Sequence, residues 1–455
     1  MFPLAKTYRI VILLLSSLAV SASGLTAQTL WKVGLAAVKI TPDKPIRQAG
    51  YGSRDKPSEG VDADLFAKAL ALEDSDGNRA LLISADLLGF THEIAEAISA
   101  RLKSSHGIAR KDILLNSSHT HAGPYVAISR ASPFPEADRA RIREYVVELQ
   151  NKVVEVAQRA LGNLEPAKLS WGGGVVNFVM NRREFTDRGV ILGVNPRGLT
   201  DRNVPVLRVD TPAGKLRAVV FGAATHCTTL TGENYRISGD YAGFAQALIE
   251  DSHPGVQAMF VTGCAGNSNP YPRGTLELAK RHGSELGTEV ARVLGTELKP
   301  VRGPIRTELR RVNLPLQKLT RSQVEEMAKG AASYRSFFTD RALAMLDRGE
   351  ALPETYEAPF AVWQFGDDLT LVGYSGETLV EYAAMAEREL GPLNLWVAGY
   401  CNEVYGYLPV AKVLEEGGYE TRGLYAGVGL FSPSVEKVVM KAITEMARAV
   451  GRKIP

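Results

Sequence analysis

The sequence predicts an α/β fold, and three observations carry that prediction. Apolar runs of strand length alternate with segments of helical period. Four chemistry-bearing residues, His119, His226, Asn269 and Glu377, each fall just past a strand end, where α/β sheets gather ligands. The chain of 455 residues is 45% hydrophobic and 23% charged, with no repeat, low-complexity tract or Pro/Gly-rich linker. That composition suits one large globular domain.

The elements follow in order. Val33–Ile40 reads as a first strand and Leu65–Leu72 as a second; Asp76-Gly77 signals a hairpin into the buried run Leu81–Asp86. Helical period covers His92–Leu102, and Ile113-Leu114-Leu115 is a short buried strand. A long amphipathic helix fits Glu136–Leu161, stopped by Gly162-Asn163. Strands are expected at Leu169–Phe178, Val204–Asp210, Leu216–Thr225 and Ala258–Thr262, and helices at Tyr241–Asp251, Gly274–Leu294 and Ser322–Gly349. Trp363–Val372 reads as a hairpin, Gly376-Glu377 as the start of a helix to about Leu390, Leu395–Tyr400 as a strand and Ser434–Arg452 as the last helix.

The N-terminus carries a different signal. Lys6 and Arg9 precede the apolar run Ile10–Val20, and small residues follow. This is the pattern of a secretory signal, and the run is shorter than the roughly 20 residues that span a bilayer. Residues 1–27 are read as a signal peptide, cleaved after Ala22 or Ala27, and 28–455 as a single domain of an exported, secreted or periplasmic protein. Net charge is +3 with no basic block, which argues against nucleic acid as a partner. Three cysteines, Cys227, Cys264 and Cys401, exclude a fully paired framework and leave a Cys227–Cys264 bridge open.

The densest chemistry lies in Asn116-Ser117-Ser118-His119-Thr120-His121-Ala122-Gly123-Pro124. Side chains alternate faces along an extended chain, so His119 and His121 are expected on one side, as half of a metal site. An isolated His-x-His is as often a hydrogen-bonded core or surface feature. His226 alone reads equally well as a core histidine, and Glu377 as a helix N-terminal charge. His92, His106, His253 and His282 read as solvated surface.

From Gly34 to about Arg452 the chain resembles the N-terminal catalytic domain of the neutral (non-lysosomal) ceramidase family. The resemblance rests on the His-Thr-His segment, which the family writes Asn/Thr-x-Ser-His-Thr-His-Ser/Ala-Gly-Pro, and on six further matches in the same order. These are Asn181-Arg182, His226, Gly239-Asp240-Tyr241, Ala265-Gly266, Gly376-Glu377, and Cys401-Asn402 with Tyr405, Tyr407 and Tyr419-Glu420. The resemblance implies mixed β-sheets flanked by helices and one zinc ion held by His119, His226, Glu377 and Tyr407, with Tyr405 as the alternative tyrosine. It implies that His121 handles protons and that Arg182 and Tyr419 face the scissile carbonyl of an amide. Small-molecule or lipid amides are then the substrate class, with a membrane surface as a further contact.

Two departures stand out. Where the family carries Gly-Asp-x-Ser-Pro, this chain has Gly266-Asn267-Ser268-Asn269-Pro270. Asn269 takes the serine position and Ser268 lies one residue early, so a water nucleophile with Asn269 as an oxyanion donor is expected, rather than a serine. The sequence ends at Pro455, so no C-terminal immunoglobulin-like domain is expected, and a smaller ester, lactone or sugar-linked amide is a competing substrate. A non-catalytic binding protein on the same scaffold is the third reading.

Overall fold

The computed structural model describes residues 31–329 and 336–455. Its centre is two β-sheets packed face to face. The larger runs in the order Gln257–Thr262, Leu216–Ala223, Asn203–Asp210, Glu165–Val175, Trp31–Lys39, Phe66–Glu73, Arg79–Ala85, Ile113–Ser117, with Lys299–Val301 joined to Glu165–Val175. Its two end pairs are parallel and the pairs between them antiparallel. The second sheet orders Ile305–Pro315, Thr355–Phe365, Leu369–Gly373 and Leu395–Ala398.

Period-two alternation explains how one strand serves two cores. Leu70 and Leu72 point between the sheets, against Trp363, Leu371 and Trp396. Ala67, Ala69 and Ala71, from the same strand, point outward beneath Ile94 and Ile98 of the helix His92–His106 and Leu149 and Val153 of Glu136–Gly162. The helices Asp240–Ser252 and Leu276–Leu294 cover the other end of that face. Val380–Leu390 and Val435–Ala449 cover the outside of the second sheet. The result is four layers, helix–sheet–sheet–helix. Each fully buried leucine in them stabilises the fold by about 1.5–3 kcal/mol.

Two small sheets position the site. Ser268–Pro270, Val179–Thr186 and Gly189–Asn195 form one, and Glu377–Thr378 pairs in parallel with Tyr407–Leu408 to form the other. The predicted α/β class therefore holds, and several boundaries change. The expected helix over 322–349 is two helices, Arg321–Ala328 and Thr339–Asp347, and residues 330–335 between them lie outside the described residues. Thr320 ends the first helix's N-terminus with a full capping box.

Glu377 does not begin a helix. Gly376 adopts φ +76°, which turns the chain so that Glu377 pairs with Tyr407, and the helix starts at Val380. Asn181-Arg182-Arg183 lies inside the strand Val179–Thr186. The strand Ile305–Pro315 went unread because Arg306, Glu308, Arg310 and Arg311 break up its apolar run. His282 is buried, stacked on Phe178 with its Nε2 2.7 Å from the Pro272 carbonyl, not solvated. The predicted signal segment, residues 1–27, lies outside the described residues.

Candidate metal centre

The strand Ile113–Ser117 stops before the histidines. His119 adopts φ +58°, a left-handed conformation that costs a non-glycine residue energy, so the chain turns here instead of staying extended. Thr120 then forms a parallel bridge with Cys227, its hydroxyl donates to the Ser238 carbonyl (2.7 Å), and the His121 amide donates to the Cys227 carbonyl (3.1 Å). The two imidazoles do converge, with Nε2 atoms 3.2 Å apart, but a turn brings them together and not strand alternation.

Two other strand ends complete the cluster. His226 follows Leu216–Ala223, and Glu377 arrives through the pairing with Tyr407. The Glu377 Oε2 lies 3.0 Å from the His226 Nε2 and 3.3 Å from the His119 Nε2. His119, His226 and Glu377 are buried, whereas His121 retains contact with solvent.

Tautomers follow from the outer contacts. The Nδ1 of His119 sits 2.5 Å from the Leu88 carbonyl, and that of His226 2.8 Å from the Ala265 carbonyl. Carbonyls only accept, so both Nδ1 atoms carry the proton and both Nε2 lone pairs face inward. Burial, with Arg182 beside it, pushes the His226 imidazole down to about 3. Burial and the neighbouring His119 and His226 hold His121 well below its usual range. Burial alone would raise Glu377, but the His119 and His226 groups hold its carboxyl well below the carboxylate range. At neutral pH the uncharged His121 and His226 imidazoles thus meet an ionised carboxylate.

Lone pairs about 3 Å apart repel unless a cation lies between them. Zinc bonds of about 2.0–2.1 Å at tetrahedral angles put donor atoms roughly 3.3 Å apart. The Glu377 Oε2, 3.0 Å from the His226 Nε2 and 3.3 Å from the His119 Nε2, is close to that spacing. The carbonyls on both Nδ1 atoms supply the orienting outer contacts that metal-bound histidines use. The donor set therefore fits Zn²⁺.

Arg182 forms the wall of this cluster. Its Nη1 lies 3.1 Å from the His226 Nε2 and donates to the Asn269 Oδ1 at 3.4 Å. Its Nη2 donates to the Tyr407 hydroxyl (2.9 Å), and its Nε to Glu420 (2.9 Å). Burial opposes its charge, but Tyr407, Glu420 and Glu377 hold its pKa well above the usual value. Burial raises the Tyr407 phenol well above its usual range, Glu377 adding to the rise. The Tyr419 ring is 5.6 Å from that of Tyr407, with the Arg182 guanidinium 5.8 Å away.

The structure thus brings all eight predicted site residues together. Tyr405, the alternative tyrosine, points elsewhere, its hydroxyl 3.3 Å from that of Ser375. Asn269 faces Arg182 and accepts from the Thr228 hydroxyl (3.1 Å), whereas the buried Ser268 hydroxyl has no partner. Asn267 is structural: its Oδ1 accepts the Val380 amide and its Nδ2 binds Glu381. All three cysteines are free and buried. His92, with Glu96 and Glu403, groups around the Arg311 guanidinium, which occupies the place of a cation.

Sequence reasoning missed Glu420 as the anchor of Arg182 and Arg183. It also missed Tyr400, whose ring lies 4.4 Å from that of His119 and whose buried hydroxyl has no partner. Nothing in their local sequence marks either residue; both act across more than 200 positions. A narrow slot of about 30 Å³, bounded by Tyr125, Val126, Val404 and Tyr425, opens on Glu377. A cavity of about 600 Å³ between Trp171 and Trp396 lies elsewhere and touches none of the eight.

Gly50 gives a test of this packing. It sits at φ +92°, and a Cβ there would come 2.4 Å from the His121 Nδ1. Gly50→Ala must therefore displace His121; if His121 is the proton-transfer group that the family resemblance implies, turnover falls about 100-fold, the lower end for such a loss. Unchanged steady-state kinetics would remove His121 from the mechanism.

Comparisons with known proteins agree with the geometry. The family model described as neutral/alkaline non-lysosomal ceramidase, N-terminal, matches residues 31–270. Neutral ceramidase A of Dictyostelium discoideum is 24% identical over 244 residues, covering 51% of this chain and 34% of that protein. Neutral ceramidase of Pseudomonas aeruginosa is 24% identical over 254 residues, covering 53% and 37%. The matched stretch thus spans about a third of the length of these relatives. A solved structure titled ceramidase complexed with C2 superposes with a TM-score of 0.73 at 20% identity, over 94% of this chain and 76% of the other. That likeness extends the shared fold past residue 270, to the strands that carry Glu377 and Tyr407. The match over more than half the chain shows that it belongs to the neutral/alkaline non-lysosomal ceramidase family.

Proposed function

We propose that this protein is an exported, zinc-dependent hydrolase that cleaves a linear amide, a lipid amide of ceramide type first among its substrates, with water as the nucleophile. The observation that carries the proposal is the buried cluster of inward lone pairs and one carboxylate, spaced as a tetrahedral ion requires, beside a fixed arginine. His119, His226 and Glu377 are the proposed ligands. Tyr407 is the fourth, since its pairing with Glu377 places both side chains on one face. When bound, the ion polarises the carbonyl and makes water acidic near neutral pH.

The remaining roles fall to the chain's own groups. His121 is the imidazole with solvent contact, and its Nε2 faces the cluster, so that nitrogen can take the proton from the attacking water and pass it to the leaving amine. Arg182, held by Glu420, and Tyr419 face the carbonyl oxygen and stabilise the charge that develops there. Asn269, whose Oδ1 accepts from Arg182, is the further oxyanion donor of this reading, through its amide nitrogen. Among the described residues no helix is long and apolar enough to cross a membrane.

A second reading, hydrolysis of an ester, lactone or sugar-linked amide, draws on the asparagine at position 269. Metal analysis and a pair of substitutions test both. Near one equivalent of zinc is expected, and its absence would sink either reading. Ser268→Ala is expected to leave turnover within a few-fold, whereas Asn269→Ala should lower it by about 100-fold, as for a lost oxyanion donor. A dead Ser268→Ala enzyme that still folds would replace the water nucleophile with a serine. Relative turnover of ceramide in detergent, short acyl amides and esters separates the two substrate readings.

A further inference from the structure

We propose that the hairpin formed by Val179–Thr186 and Gly189–Asn195 docks the protein on an anionic lipid surface, beside the metal centre. The proposal rests on the lipid-amide reading above and adds the surface from which such a substrate would be taken. Among the described residues, eleven large apolar side chains are exposed, and six of them fall between positions 175 and 199. Phe185 is 60% exposed and Leu192 48%.

Gly189–Asn195 is an edge strand, bonded only to Val179–Thr186. Proteins usually blunt such edges with charged side chains or proline. This one reads Gly-Val-Ile-Leu-Gly-Val-Asn. Ile191 and Leu192 are consecutive, so they point to opposite faces, and both are exposed. A flat protein partner covers only one face of a hairpin, whereas a fluid headgroup layer envelops both. Tyr271, 48% exposed, lies just past the neighbouring strand Ser268–Pro270, as aromatic anchors do at a membrane interface.

Charge points the same way. Arg188, Arg197 and Arg202 are exposed, and no ion pair holds any of them among the described residues. Asp187 is the one fully exposed carboxylate between 179 and 203. Glu184 and Asp201 are partly buried and accept the Val194 and Asn203 amides. Free guanidinium groups around an apolar ridge complement lipid phosphates. The hairpin is also continuous with the chemistry: Arg182 precedes Phe185 on the same strand, and Asn269 lies on the strand beside it.

The test is co-sedimentation of the full chain with phosphatidylcholine vesicles, with and without phosphatidylglycerol. Binding is expected to be tighter with phosphatidylglycerol and weakened by salt. Phe185→Asp/Leu192→Asp should reduce it at least about tenfold, and Arg188→Gln/Arg197→Gln by about fivefold per arginine. Zinc content and turnover of a short, water-soluble acyl amide should stay unchanged in both variants, which shows that they fold. Absence of vesicle binding by the native chain, or equal binding by the Asp variant, overturns the proposal. So does a native dimer in sedimentation that the Asp variant splits, which assigns the ridge to self-association. Hairpin-dependent vesicle binding without turnover of any amide leaves the docking role standing and removes the hydrolase reading.

Discussion

His119→Ala is expected to abolish turnover, by at least about a thousandfold, or roughly 4 kcal/mol of barrier. His119 is the hub of the cluster: its Nε2 lies within 3.3 Å of both His121 and Glu377. Its loss removes one proposed ligand and the separation that keeps Glu377 beside His226. Bound zinc should fall from near one equivalent to below about a tenth after dialysis, because a three-donor remnant holds the ion far more weakly. The fold should suffer less than the activity. The Leu88 carbonyl loses its donor, at about 1–3 kcal/mol, while the crowding of inward lone pairs is relieved. Inductively coupled plasma analysis beside steady-state kinetics checks this, and a variant with full zinc and native turnover would refute the assignment.

Glu420→Ala is expected to produce the largest loss of stability, about 3–5 kcal/mol. The Glu420 side chain is buried and accepts from the Arg182 Nε at 2.9 Å and the Arg183 Nη1 at 2.6 Å. Both guanidinium groups are themselves buried. Removing the carboxylate strands one positive charge beside His226 and leaves the other to Glu416 and the Gly417 carbonyl. Turnover should fall as well, since Arg182 loses the contact that fixes its plane. Glu420→Gln keeps one acceptor and should cost less than half as much. The denaturant midpoint reports the first effect and kinetics at saturating substrate the second. A Glu420→Ala protein with a native midpoint would show that the pair contributes nothing.

Much of this was legible in the sequence, for physical reasons that also explain the gaps. Strands such as Phe66–Glu73 and Arg79–Ala85 announce themselves because burial on both faces demands continuous apolar runs. Ile305–Pro315 did not, because its exposed face admits arginines and glutamate. The histidines of the centre were found by type and by family motif, yet the reason for their convergence was misread. A left-handed backbone at His119 is a property of the tertiary trap around it and leaves no local signature. Glu377 looked like a helix start because Gly-Glu before a helical period resembles one. The register with Tyr407 that overrides it joins positions thirty residues apart. Glu420 was quoted only as a neighbour of Tyr419, since a charge buried by two distant arginines looks like any other glutamate in one dimension.

Of the bridges that close the site, Thr120 to Cys227 and Asn116 to Cys401 tie early segments to later ones, and Glu377 to Tyr407 joins two late ones. They make the centre a property of the finished chain. A polypeptide released only to residue 270 has all three imidazoles of the cluster and Arg182, but no Glu377 carboxylate to balance an ion and no Glu420 to hold the arginine. The cage is therefore complete only once the last third of the chain has folded against the first, and any ion it holds is acquired after that point.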